Sequence, residues 1–378
     1  MTYLDYQATT PLAPEALDAM LPWLRDQHGN PHSAHREGRR AKAAVEVARA
    51  EVASLLPPGG RVVFTSGATE ALNWAIKGTR GPMVTLATEH AAVLDTVASE
   101  AVRRRPTTIL PVGSDGLVDA SLVSPALAGA LVTPAASEDA TLPPGPAAKG
   151  LVAAMLVNNE VGVIQPIADL AAAAHERGAL FLCDAVQGYG RVPIPDGVDL
   201  VAVSAHKVYG PKGIGALWIR DGVTLTPLLH GGDQEGGRSG TLSPALCAGF
   251  GVAARLMRER AGEDAAHVDR LWAIAVDRLA GWAINGSVEH RYRGNINVRR
   301  AGLDVARLMS DCRDLAFSAG SACASGSGRV SHVLRALGLS GVEARGSIRL
   351  GWGRYTDPAT FAVALDRIVA AAEAQVLA

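Results

Sequence analysis

The sequence predicts an α/β fold: a large domain with a mostly parallel sheet flanked by helices, and a smaller C-terminal α+β domain. Three observations carry that expectation. Short apolar runs alternate with helical segments from about Leu12 to Phe250, the pattern of successive βα units. Several of those runs end on a polar residue and a small-residue turn, which in an open sheet places chemistry at the C-terminal edge of the strands. Past Phe250 the pattern changes to a long helix and then to shorter strands and helices. The expected division is residues 13–250 for the large domain, with 1–12 and 251–378 forming the small one.

The elements follow in order. Helices are expected over Pro14 to Asp26 and His35 to Leu56. An apolar strand from Arg61 to Phe64 leads through Thr65-Ser66-Gly67-Ala68-Thr69-Glu70 into an amphipathic helix over Ala71 to Lys77. Small residues there leave backbone N–H groups open at a helix N-terminus, a ready anion site. The strand Pro82 to Leu86 brings up Thr88-Glu89-His90, and a helix runs from Glu89 to Arg104, with Arg103-Arg104-Arg105 as a solvated helix end. Between Asp119 and Leu151 the chain is rich in Pro, Ala and Gly and reads as a surface loop without a catalytic role. A further strand ends on Asn158 and Asn159, and a helix over Ile167 to Arg177 follows. The strand Ala179 to Cys183 ends on Asp184, with Gln187 close behind. Val201 to Val203 runs into Ser204, His206 and Lys207 and then a glycine-rich turn to Gly215. The long helix spans Ala248 to Arg260, with a continuation to Leu279 as the open alternative.

Lys207 is the most informative residue. Burying an ammonium without a partner is costly, and desolvation lowers a lysine's pKa until the neutral amine is a nucleophile toward a carbonyl. Surface lysines after strands are common, so the residue alone decides nothing. Asp184, at the end of another strand of the same sheet, changes its meaning. A lysine for an aldehyde carbon and a carboxylate for a pyridine nitrogen are what pyridoxal 5'-phosphate needs. Thr69, His90, Asn159, Asp184 and Lys207 thus fall at the C-terminal ends of five strands.

Composition narrows the classes. A chain of 378 residues is ample for a large core, and a formal net charge of −1 gives no electrostatic reason to bind nucleic acid or an anionic membrane. There is no basic-then-apolar N-terminal signal and no uncharged apolar run of about 18 residues that could cross a bilayer. Four cysteines without regular spacing do not form a disulfide framework, which makes a cytoplasmic setting the expectation. His28, His32 and His35 are spaced loosely like zinc ligands, but Pro31 interrupts any helix and no Cys pair or acid completes a site, so no metal is expected. The turn from Lys207 to Gly215 lacks the Gly-Lys-Ser/Thr ending of a nucleotide loop. Cys183, Cys247 and Cys312 read as core residues. Cys323 does not: it stands in Ser318-Ala319-Gly320-Ser321-Ala322-Cys323-Ala324-Ser325-Gly326-Ser327-Gly328, a run of small residues that cannot fix itself by burial, where a thiol is an accessible nucleophile.

The chain resembles the cysteine desulfurases of the NifS/IscS-like type, in the class V aminotransferase group of fold-type I pyridoxal-phosphate enzymes. The resemblance rests on Tyr3-Leu4-Asp5-Tyr6, Gly29-Asn30-Pro31 with His35, Thr65 to Glu70, Thr88-Glu89-His90, Asn158 to Gly162, Asp184 to Gln187, Ser204 to Gly215, Arg238-Ser239-Gly240-Thr241, Gly320 to Cys323 and Ser347-Ile348-Arg349, in that order over nearly the whole chain. It implies that L-cysteine becomes L-alanine with a persulfide on Cys323, passed to an iron–sulfur scaffold or a sulfur carrier. It also implies that Lys207 holds the cofactor and serves as base, that Asp184 supports the pyridinium, and that His90 stacks on the ring and moves protons. Gln187 and Asn159 would bond the ring oxygen and the substrate side, while Thr69, Ser204 and His206 would hold the phosphate and Ala68 would also bind the cofactor. Thr241 would be donated by the second subunit of a homodimer, and Arg349 would take the substrate carboxylate. Two other readings stay open: a related lyase or transaminase, such as a selenocysteine lyase, and a non-catalytic scaffold subunit.

Overall fold

The computed structural model describes residues 1–131, 149–232, 234–320 and 330–376. Along the chain these form β1 (Thr2–Tyr3), α1 (Pro14–Arg25), α2 (Arg36–Ala53), β2 (Gly60–Thr65), α3 (Ala68–Lys77), β3 (Met83–Leu86), α4 (Ala91–Val102), β4 (Thr107–Leu110), α5 (Val123–Leu131), β5 (Leu151–Met155), α6 (Ile167–His175), β6 (Leu180–Asp184), β7 (Leu200–Ser204) and β8 (Gly215–Arg220). The second half continues with α7 (Pro244–Glu259), α8 (Ala261–Arg278), β9 (Ala283–Ile284), β10 (Asn295–Arg299), α9 (Val305–Asp311), β11 (Leu315–Ala316), β12 (Ser318–Ala319), α10 (His332–Ala336), α11 (Gly341–Arg345), β13 (Ser347–Gly351) and α12 (Pro358–Val376).

Among the described residues, seven strands form one sheet in the order β2-β8-β7-β6-β5-β3-β4, and only β8 runs antiparallel to its neighbours. The period-two side-chain alternation of its central strands feeds two cores, one on each face. Leu151, Ala153, Leu180, Leu182, Leu200 and Ala202 pack with α3 and α4. Val152, Ala154, Phe181, Cys183, Val201 and Val203 pack with residues of α2, α5, α6 and α7. A smaller antiparallel sheet, β12-β13-β10-β9, packs with α8, α9 and α12 around Trp272, Trp352 and Phe361. Leu4 is fully buried in that second unit, and β1 pairs in parallel with β11, so the N-terminal residues are tied to it.

Three expectations need correction. The long helix after Ala248 is two helices broken at Arg260, because their apolar faces serve different cores: Cys247, Phe250 and Met257 the large sheet, Leu271, Trp272 and Ala275 the small one. The change of core therefore falls later than Phe250. Arg105 is buried rather than solvated; its guanidinium donates to the Gly81 carbonyl at 2.7 Å, the Ile76 carbonyl at 2.5 Å and Thr79 Oγ1 at 2.9 Å, closing the end of α3. Within the stretch taken for a loop, Val123–Leu131 is helical, and residues 132–148 lie outside the described residues.

Candidate active site

A cavity of about 620 Å3 opens at the C-terminal edge of β2, β3, β5, β6 and β7. Its wall includes Ala68, Thr69, His90, Asn159, Asp184, Gln187, Ser204, His206 and Lys207 from the large sheet, together with Arg349 from the small one. Thr241 is exposed and does not line the cavity of its own chain, and Cys323 lies outside the described residues. His35, weighed above as a metal ligand, instead caps α2, its Nδ1 accepting the Gly38 N–H at 3.2 Å.

Asp184 is 3% exposed, and its Oδ1 accepts the Val186 N–H at 3.0 Å. Burial pushes its carboxyl up to about 6, against the pull of that hydrogen bond and of the Lys207 charge. Behind it Glu89 is also buried and accepts the N–H of Met155, the residue registered opposite Asp184 across β5 and β6. Burial, reinforced by the Asp184 charge, pushes the Glu89 carboxyl well above the usual carboxylate range. His90 caps α4: its Nδ1 accepts the Ala92 N–H at 3.0 Å, which leaves the proton of the neutral ring on Nε2. Burial, then the charges of Lys207 and His332, push its pKa down.

Lys207 donates from Nζ to the carbonyls of Gln7 and Ala8, the latter at 2.8 Å. The chain turns sharply just beyond it, where Tyr209 adopts a left-handed φ of 66°. A non-glycine residue holds that conformation only when its surroundings over-determine it. Here the Tyr209 N–H donates to Thr10 Oγ1 at 2.7 Å and its ring lies under the Arg354 guanidinium. His206 is pushed down to about 4, first by burial and then by Lys207 and Lys212, and is neutral at pH 7. Opposite, α3 begins at Gly67 with no side-chain cap. A Cβ on Gly215 would stand 2.8 Å from Gly67 Cα, so only glycine lets β8 start so close beneath that turn. Arg349 is 1% exposed; it donates to Asp5 Oδ1 at 2.6 Å and to the Asn159 carbonyl at 3.0 Å, while its Nε has no partner among the described residues.

The sequence reading did not assign roles to Asp5, Glu89 or Lys212, the last of which lines the cavity. Asp5 and Glu89 stand inside motifs named above, but nothing in the sequence separates a buried carboxyl there from an exposed one. Lys212 carried none beyond its position in the glycine-rich turn.

Fold and cavity define an enzyme-like α/β scaffold with an amine, a buried carboxylate and an uncapped helix N-terminus around one space. The chain belongs to the aminotransferase class-V family, whose pattern matches residues 2–135 and 146–360. It is 40% identical over 373 residues to the cysteine desulfurase IscS of Rickettsia bellii, a match covering 94% of this chain and 87% of that protein. Among solved structures it is similar to a NifS-like protein, with a TM-score of 0.85, 30% identity and full coverage of both chains. It is also similar to SspA in complex with cysteine, with a TM-score of 0.79 and 34% identity over 94% of this chain and all of that one. The enzymes of this group depend on pyridoxal phosphate.

Proposed function

We propose that this chain is a pyridoxal-phosphate-dependent cysteine desulfurase, converting L-cysteine to L-alanine and retaining the sulfur as a persulfide on Cys323. One observation carries the reading: Lys207, Asp184, His90 and Arg349 converge on a single cavity in a chain 40% identical to a cysteine desulfurase over most of its length.

The donor set fits the cofactor. The uncapped start of α3, with Thr69, Ser204, His206 and Lys212 around it, is built for the phosphate; Lys212 brings the charge, since His206 is neutral. Asp184 would hold the ring nitrogen, Gln187 the ring oxygen and Lys207 the aldehyde carbon. When bound, pyridoxal phosphate supplies an electron sink for the pair released at the substrate Cα. Arg349 takes the substrate carboxylate through N–H groups not held by Asp5, Asn159 and Ser318, Nε among them. Lys207 Nζ accepts the Cα proton, and His90, protonated at Nε2, is the acid on the substrate side. The Cys323 thiolate attacks the substrate sulfur. An S–S bond forms as the Cβ–S bond breaks, and the pair left on Cβ takes up a proton. Cysteine plus an enzyme thiol thus gives alanine plus an enzyme persulfide.

An iron–sulfur scaffold or a sulfur carrier is the proposed acceptor. The proposed assembly is a homodimer, supported by the exposed apolar residues Leu17, Leu21 and Leu24 of α1 and Val47 of α2. A cytoplasmic setting belongs to the same proposal, since Cys183, Cys247 and Cys312 are free thiols. The division into a large unit from residue 13 and a small unit that includes 1–12 is proposed with it. The test is incubation of purified protein with L-cysteine and a reductant. Equal amounts of alanine and sulfide are expected; a keto acid in place of alanine would make the enzyme a transaminase and overturn the reading.

A further inference from the structure

Asn158, Asn159 and Glu160 form the turn that follows β5. Asn159 lines the cavity, whereas Asn158 builds the turn, its Oδ1 accepting the N–H groups of Glu160 and Val161 at 2.9 and 3.0 Å and its Nδ2 donating to the Thr88 carbonyl at 2.8 Å. Glu160 does neither. It is 2% exposed, and a carboxylate buried without a partner is costly. Its partner is Ser331, 4% exposed, whose hydroxyl donates to Glu160 Oε2 at 2.5 Å and accepts the Leu334 N–H at 3.0 Å as the cap of α10. Burial pushes the Glu160 carboxyl up, while the Ser331 bond and the charges of His332 and Arg349 pull it back.

The backbone of the same residue reaches elsewhere. Its carbonyl accepts Asn297 Nδ2 at 3.2 Å, and that amide also donates to the Gly320 carbonyl at 3.3 Å. Asn297 is fully buried and lies directly opposite Arg349 across β10 and β13. Gly320 and Ser331 flank residues 321–329, among them Cys323. One residue is therefore bonded to both flanks: to Ser331 directly and to Gly320 through Asn297. The adjoining peptide, at Asn159, accepts Arg349 Nη1 at 3.0 Å.

We infer that Glu160 is a positioning residue for sulfur transfer. With Ser331 and Asn297 it fixes the two flanks of the Cys323 segment to the turn that presents Asn159 and braces Arg349. The two flanks are thereby tied to the same turn that holds Arg349, the residue proposed to anchor the substrate carboxylate. This rests on the desulfurase reading of Cys323.

The test uses the holoenzyme of the wild type and of Glu160→Ala, Ser331→Ala, the double variant and Glu160→Gln, the last keeping an acceptor oxygen for the Ser331 hydroxyl. Cofactor content and the spectral change on adding L-alanine, which has no sulfur to transfer, should stay within about twofold of wild type, while kcat for alanine formation from cysteine falls at least about tenfold in Glu160→Ala and Ser331→Ala. The double variant should be no worse than the worse single one, as expected for one shared bond, and Glu160→Gln should recover most of the rate. Hydrogen exchange, which does not depend on turnover, should rise at the Leu334 amide and in the peptide ending at Gly320 in Glu160→Ala. Unchanged exchange at both flanks, additive losses, or a loss of rate that merely tracks lost cofactor would overturn the inference. Absence of alanine from the wild type would instead overturn the desulfurase reading beneath it, and with it the role in transfer.

Discussion

Replacing Asp184 by asparagine should stabilise the cofactor-free protein while disabling the enzyme. Asp184 sits 3% exposed at the end of β6, and burial raises its carboxyl from the ordinary 3.8 to about 6. The sign follows from linkage: a carboxylate whose folded pKa is raised adds stability fully present below pH 3.8 and lost as pH rises through about 6. The rise corresponds to about 3 kcal/mol, withheld from the folded state at neutral pH. Asparagine keeps the size and an oxygen for the Val186 N–H but carries no charge. In urea unfolding of the cofactor-free chains, Asp184→Asn should match the wild type near pH 4 and exceed it by up to about 3 kcal/mol at pH 8. With pyridoxal phosphate present, the variant should bind more weakly and lose most alanine formation, since the ring nitrogen has lost its counter-charge. A stability difference that is the same at pH 4 and pH 8, or that favours the wild type at pH 8, would refute the reasoning.

Lys207→Ala should fail to retain cofactor after borohydride reduction, which in the wild type should mark Lys207 in peptide mass mapping; a mark on Lys212 would reassign the amine. Arg349→Lys replaces a forked donor set with a point charge and should lower kcat/KM for cysteine by about tenfold to a hundredfold, mostly through KM, in steady-state assays. Thr241→Ala should weaken cofactor binding by about 1.5–3 kcal/mol in equilibrium titrations. A mixed dimer with Lys207→Ala in one chain and Thr241→Ala in the other should keep about half of wild-type cofactor content, because both defects fall on one site if Thr241 crosses the interface. A fully active monomer would require a different role for Thr241.

The βα order, the parallel sheet and the cavity wall were visible in the sequence because each strand is short, apolar and punctuated by a small polar turn. Alternation could not reveal which residues pair across the chain. Arg105 is the clearest case: three consecutive arginines read as a solvated end, yet the third closes the carbonyl end of α3. The same blindness hid Glu235, 8% exposed, which holds Arg49 at 2.7 Å and the Phe64 N–H at 2.9 Å across the large unit. Whether the helix stops at Arg260 or runs on to Leu279 is not decided by the sequence, because both helices are amphipathic and only tertiary packing shows that their faces point to different cores. Within the site, Lys207, Asp184 and His90 were visible as polar ends of apolar strands. Glu89 and Glu160 were not, since a buried carboxyl is recognisable only once its neighbours are known.

Sulfur transfer to Cys323 is tested most directly by a single turnover. Holoenzyme in excess over L-cysteine, without reductant, should be digested and mapped by mass while alanine is counted in the same sample. One alanine per added sulfur on the peptide containing Cys323 is the expected result, with Cys323→Ser retaining bound cofactor but forming neither product. Alanine formed at an unchanged rate by Cys323→Ser, or the sulfur found on Cys183, Cys247 or Cys312, would contradict it.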